Sequence, residues 1–185
     1  VLWKPGNIIY PLPVVMVSCG DNEKEWNIIT IAWTGTICTE PPMCYISIRK
    51  NRHSYNIISK NKEYVLNLTT SDMAYQTDWC GVKSGKDFNK FKEMKLTPIK
   101  ANMVKAPLIK ESPVNIECKV KDIIQLGSHD MFISEVLCIN ASSNFINPDT
   151  GEFDMRKAKL MCYSHGKYYE LGKLLGKYGF SVRKK

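Results

Sequence analysis

The chain has 185 residues, 44% of them hydrophobic and 24% charged, with a net charge of +8. That is enough for one packed core, in the composition range of a soluble globular protein. No apolar run reaches the length of a membrane-spanning helix, and seven cysteines without a CxxC pair exclude a disulfide scaffold and point to a reducing, cytoplasmic setting.

Taken in chain order, strands are expected at residues 14–18, 27–34 and 43–49, with a turn at 39–42. Pro41 and Pro42 cannot donate to a ladder and belong at that corner. In the returning strand Cys44, Ile46 and Ile48 share an apolar face, so Cys44 is expected in the core. Tyr45, Ser47 and Arg49 share the opposite face and lead into "KNRHSY", where Ser54 is expected to cap a short helix. A strand follows at 63–69, then a helix capped by Ser71, then "DFNKFKEM", whose Phe88, Phe91 and Met94 fall at helical spacing.

The strongest alternation lies further on. "VNIECKV" sets Val114, Ile116, Cys118 and Val120 on one face and Asn115, Glu117, Lys119 and Lys121 on the other. It reads as a half-buried strand that opens a hairpin over 114–140, with a last strand at 160–164. The spacing suggests a closed or nearly closed antiparallel barrel, mainly β with short helices, in a single domain over 1–185. The dense basic cluster of Lys167, Lys173, Lys177, Arg183, Lys184 and Lys185 reads as a solvated face. Neither nucleic acid nor a membrane is expected as a partner.

Two motifs for common chemistry fail. "GVKSGKD" has three residues between its glycines where a phosphate loop needs four, and Asp87 stands where magnesium ligation needs Ser or Thr. His53, His129 and His165 are far apart, with no metal-ligand spacing among them or the cysteines. The strand end at Arg49 with the donors after it suits a phosphate, since guanidinium groups and helix N-termini both favour anions. An ordinary wet strand face beside a capped helix fits the same pattern, and on residues alone both readings stand.

The chain resembles flavin reductase-like proteins of the FMN-binding split-barrel fold, most closely the flavoredoxin type. The resemblance runs through "YPLPVVMVSCGD", "NIITIAWTGTICTEPPMCYISIRKNRHSY", "EYVLNLTT", "TDWCGVKSGKDFNKF", "APLIKESPVNIECKV", "LGSHDMFISEVL" and "CYSHGKYYELGKLLGKYG". It implies a split β-barrel and an FMN-dependent oxidoreductase passing electrons from NAD(P)H or another donor, or else a carrier between redox partner proteins. It also implies a homodimer. The resemblance sets the flavin ring against Ala32, Trp33 and Thr34, and the ribityl chain and phosphate along Gly35, Thr36, Ile37 and Cys38. Further cofactor contacts are implied for Ser47, Arg49, His53, Ser54, Tyr55, Cys80, Gly81, Ser84 and Lys90, with Phe91 completing the "KF" match. His129, His165 and Tyr168 are implied on the substrate side, and no residue is implied as a dedicated catalytic acid, base or metal ligand. Many flavin reductases carry Asn and Ser where Ala32 and Trp33 align, and Ser where Cys38 aligns.

Overall fold

The computed structural model describes residues 1–182, so Arg183, Lys184 and Lys185 of the basic cluster lie outside the described residues. Among the described residues, twelve strands form three sheets. The first five are β1 (Leu12–Pro13), β2 (Val15–Cys19), β3 (Asn27–Ile31), β4 (Thr34–Thr39) and β5 (Pro42–Ile48). The middle of the chain supplies β6 (Glu63–Leu68), β7 (Pro98–Ile99), β8 (Leu108–Ile109), β9 (Val114–Gln125) and β10 (Asp130–Ala141). The last two are β11 (Met161–Ser164) and β12 (Lys167–Glu170). The helices are α1 (His53–Asn61), α2 (Ala74–Val82) and α3 (Lys90–Glu93).

The main sheet has seven antiparallel strands in the order β3-β2-β6-β9-β10-β5-β4. Its two edges, β3 and β4, are consecutive in the chain and separated only by Ala32 and Trp33. The edges therefore meet at one corner, where Ser47 N–H donates to the Trp33 carbonyl at 2.9 Å. The result is a curled sheet split beside that corner, a nearly closed barrel whose ladder stays open. The strand expected over 27–34 thus breaks at Ala32–Trp33, because the chain changes from one sheet edge to the other there.

Strand β2 is buried along its whole length, which explains its unbroken apolar run. Val15, Val17 and Cys19 point into the barrel with Ile29, Ile46, Ile48, Tyr64, Leu66 and Phe132, while Ile58 of α1 plugs the same core. Met16 points outward, against Ile28, Met73, Cys80 and Phe91 beneath α2 and α3. Gly20 turns the chain into β3 at φ +108°, where a Cβ would sit 2.6 Å from the Glu25 carbonyl oxygen.

Other expectations need correction. Ser54 does not cap α1: Arg52 holds the N-cap position without a side-chain bond, and the Ser54 hydroxyl turns inward to accept from Asn27 Nδ2 at 2.8 Å. Ser71 opens a 3-10 turn and α2 begins after Met73, without a side-chain cap. The β9–β10 hairpin forms as expected, but of the polar face of "VNIECKV" only Lys119 and Lys121 are open to water. Asn115 and Glu117 are buried beneath the segment that carries residues 101–109. Cys44 is buried with its Sγ 3.6 Å from Cys118 Sγ, and all seven cysteines are free thiols. No described helix is long and apolar enough to cross a membrane.

Candidate functional site

Two adjoining cavities open where β3 and β5 end, α1 starts and α2 runs out. The larger, about 410 Å³, has a floor of Val14, Ile29, Ile31 and Ala32 and a wall of Trp33, Ser47, Arg49 and His129. Asp78, Val82, Tyr163, Gly166 and Tyr168 close the opposite side. The smaller, about 140 Å³, is lined by Asn27, Asn51, His53, Ser54, Cys80, Lys83, Ser84, Gly85 and Lys90. Ile29, Arg52 and Gly81 line both, so the cavities share a wall.

The small cavity is built around a buried cation. Lys90, only 3% exposed, opens α3 after its Asn89 cap and donates from Nζ to the Cys80 carbonyl at 2.6 Å. It forms no ion pair among the described residues. Burial pushes its pKa down to about 8, the cost of an ammonium group held away from water. Arg52, Lys83 and the uncapped first turn of α1 add donors to the same wall. His53 is held below the ordinary imidazole range, first by burial and then by Lys86 and Lys90. Gly85 is small by necessity, since a Cβ there would lie 2.1 Å from Asn27 Oδ1.

The large cleft is apolar below and aromatic at its sides. Trp33 and His129 lie 4.4 Å apart between ring centres, inclined by 38°, and His129 Nδ1 is 2.9 Å from the Ser128 hydroxyl. Burial, with the charges of Arg49 and Arg52, keeps His129 below the usual imidazole pKa and so neutral near pH ~7. On the facing wall the Tyr168 hydroxyl donates to Asp78 Oδ1 at 3.0 Å, tying the β11–β12 hairpin to α2. Burial and then that carboxylate push the Tyr168 hydroxyl pKa up. Tyr163 packs edge-on against Tyr168 at 5.7 Å.

The structure brings together Ala32, Trp33, Ser47, Arg49, Gly81, His129 and Tyr168 in the large cleft, and His53, Ser54, Cys80, Gly81, Ser84 and Lys90 in the small one. Neither cavity is lined by Thr34, Gly35, Thr36, Ile37 or Cys38, which run along β4. Thr34 is buried with its hydroxyl donating to the Tyr45 carbonyl at 2.6 Å. The Tyr55 hydroxyl donates to Asp130 Oδ2 at 2.6 Å, and His165, at the hairpin turn, packs on Tyr10 at 4.5 Å. Sequence reasoning missed Arg52, Asp78, Lys83 and Asn27. Arg52 had a signal, as a second cation among the donors of "KNRHSY", whereas the others are gathered only by the fold. Among the described residues no group of three or more His, Cys, Asp or Glu could hold a metal.

The family described as flavin reductase like domain matches residues 8–172. A protein of Pyrococcus abyssi is 31% identical over 130 residues, 70% of this chain and 74% of that one. The flavoredoxin of Desulfovibrio vulgaris (Miyazaki F) superposes with a TM-score of 0.91 at 26% identity, covering 99% of both chains. The flavoredoxin from Methanosarcina acetivorans shares the fold, with a TM-score of 0.87 at 23% identity and 99% coverage of both.

Proposed function

The chain belongs to the flavin reductase-like family, and from that premise we propose that it binds FMN and works as an oxidoreductase, passing electrons from NAD(P)H or another donor to an acceptor. The observation that carries this reading is Lys90, a buried cation whose one bonded partner is a neutral carbonyl. A phosphate in the small cavity supplies the missing anion, and charge-assisted hydrogen bonds are the strong ones. Lys90, Lys83, Arg52, Ser84 and the first turn of α1 would hold it. The apolar floor of Ile29, Ile31 and Ala32 suits a flat ring, and the shared wall of Arg52 and Gly81 suits the linker between ring and phosphate.

When bound, the flavin would supply the electron chemistry. The protein's part is binding, orientation and exclusion of water. Ser47 and Arg49 present polar groups to the ring edge. Trp33 and His129 wall off one side, and the hairpin held by the Tyr168–Asp78 bond walls off the other. This division of labour requires no catalytic triad and no metal. Purified protein should be yellow, or should quench FMN fluorescence stoichiometrically. Colourless protein that leaves FMN fluorescence unchanged would overturn the reading.

A second reading, a flavoredoxin-type carrier that exchanges electrons only with partner proteins, is favoured by Trp33, which stacks on His129 and occupies space at the cleft wall. Anaerobic mixing with NADH and NADPH separates the two, because rapid bleaching by either belongs to the enzyme alone. A homodimer is supported by apolar side chains left in water at both ends, among them Leu2 at 100%, Ile9 at 84% and Leu175 at 91% exposure. Light scattering at twice the chain mass is the expected result. The free thiols suit a cytoplasmic location.

A further inference from the structure

We propose that Asp130 is the positioning residue of this cleft, one buried carboxylate that fixes the segments carrying its cationic and aromatic side chains. Asp130 opens β10, pairs with Ile48 of β5 and Gln125 of β9, and is completely buried. Three separate parts of the chain converge on it. The Tyr55 hydroxyl of α1 donates to Oδ2 at 2.6 Å. The Lys50 ammonium, from the turn between β5 and α1, stands 3.5 Å from Oδ1. The Leu126 N–H, from the β9–β10 turn, donates to Oδ1 at 3.4 Å.

Cleft residues lie beside the carboxylate itself and beside its Lys50 anchor. His129, which stacks on Trp33, is the residue before Asp130. Arg49 and Arg52 flank Lys50, and the turn between them is closed by Arg52 N–H donating to the Arg49 carbonyl at 3.0 Å. The choice of Lys50 as the cation matters. A buried carboxylate attracts whatever cation can reach it, and one left unpaired is costly. Lys50 and Tyr55 satisfy Asp130, so neither arginine forms an ion pair among the described residues, and both stay available at the cleft. Tyr55 then belongs to the frame of the site. The Tyr55 hydroxyl also holds the Asp130 pKa below the usual carboxylate range, so the charge persists in any neutral buffer.

The test uses two readouts, of which only the second rests on the flavin reading. In apoprotein labelled at histidine, the ring protons of His129 are expected upfield because of the Trp33 face. Asp130→Asn should return them towards unstacked positions while His53 and His165 stay in place, and FMN affinity should fall about tenfold. Tyr55→Phe, which keeps the charge and removes one bond, should move both readouts the same way by less, and it decides if Asp130→Asn does not fold. Folded Asp130→Asn with His129 still upfield overturns the proposal. So does a loss of stacking with FMN affinity unchanged, or Tyr55→Phe indistinguishable from the parent. If the parent binds no FMN, the flavin reading fails by itself and the His129 shift alone decides the role of Asp130.

Discussion

Two buried charges, Glu117 and Lys90, lie at opposite ends of satisfaction. Glu117, fully buried on β9, accepts five hydrogen bonds. Asn102 N–H and Nδ2 and Asn140 Nδ2 reach Oε1, and the N–H groups of Met103 and Val104 reach Oε2, at 2.6–3.4 Å. Burial works against its charge, yet these donors outweigh burial and keep its pKa below the ordinary value. Lys90 has one carbonyl and a pKa pushed down to about 8. A charge whose bonds are all internal serves the fold, here by pinning residues 102–104 to the sheet. A charge with one neutral partner, on the lining of a cavity, fits the phosphate role proposed for it.

The comparison breaks if the two residues respond alike to removal. Glu117→Ala takes the acceptor from three backbone donors, of which the Val104 N–H is buried, at ~1 kcal/mol each, so chemical denaturation should show a loss of roughly 3 kcal/mol. FMN affinity of the folded fraction should not change. Lys90→Met should do the reverse. Replacing an unpaired buried charge with an apolar isostere leaves the apoprotein as stable or about 1 kcal/mol more so, while losing a charge-assisted contact worth ~2–3 kcal/mol weakens FMN about 100-fold by titration.

Two smaller effects sharpen the contrast. Gly85→Ala presses on Asn27 at the rim of the Lys90 cavity, and overpacking of this kind costs ~1–3 kcal/mol. Thermal melting should register that cost, and FMN should bind more weakly as well. The last effect is a pH dependence. In the apoprotein Lys90 releases its proton near pH 8, whereas the unfolded chain keeps it to ~10.4. The unfolded state therefore binds more protons across that window, and apoprotein stability rises with pH there, because the cost of the buried charge is present below the window and relieved within it. A bound phosphate favours the charged ammonium, so FMN affinity should fall as pH rises past 8, by up to ~tenfold per unit. Lys90→Met should be flat over the same range.

How much of this could be read from the sequence follows from the range of the interactions involved. The β9–β10 hairpin was legible because the seven-residue alternation of "VNIECKV" reports a strand with one apolar face. The burial of Asn115 and Glu117 was hidden, because the segment that covers them is brought there by the fold. The break at Ala32–Trp33 was hidden too, since an apolar run does not reveal that the chain is crossing a split between sheet edges. Strands as short as β1, β7 and β8, at two residues each, carry no periodicity at all. Ser54 looked like a cap because local chemistry favours one, but its partner Asn27 lies 27 residues away. Lys90 reads locally as one more lysine on a wet face, and only family resemblance singled it out. What the resemblance could not supply was the reason, a buried ammonium with one neutral partner.

The central claim is that Lys90 is the internal half of a phosphate site. Riboflavin lacks only the phosphate of FMN, so the most direct test is a pair of equilibrium titrations, FMN and riboflavin, on the parent protein and on Lys90→Met. The account predicts that the parent prefers FMN by well over ~100-fold, more than ~2.7 kcal/mol, and that in the variant this preference drops about 100-fold to what Arg52, Lys83 and Ser84 supply, while riboflavin affinity stays the same. A variant that keeps the full preference for FMN would contradict it.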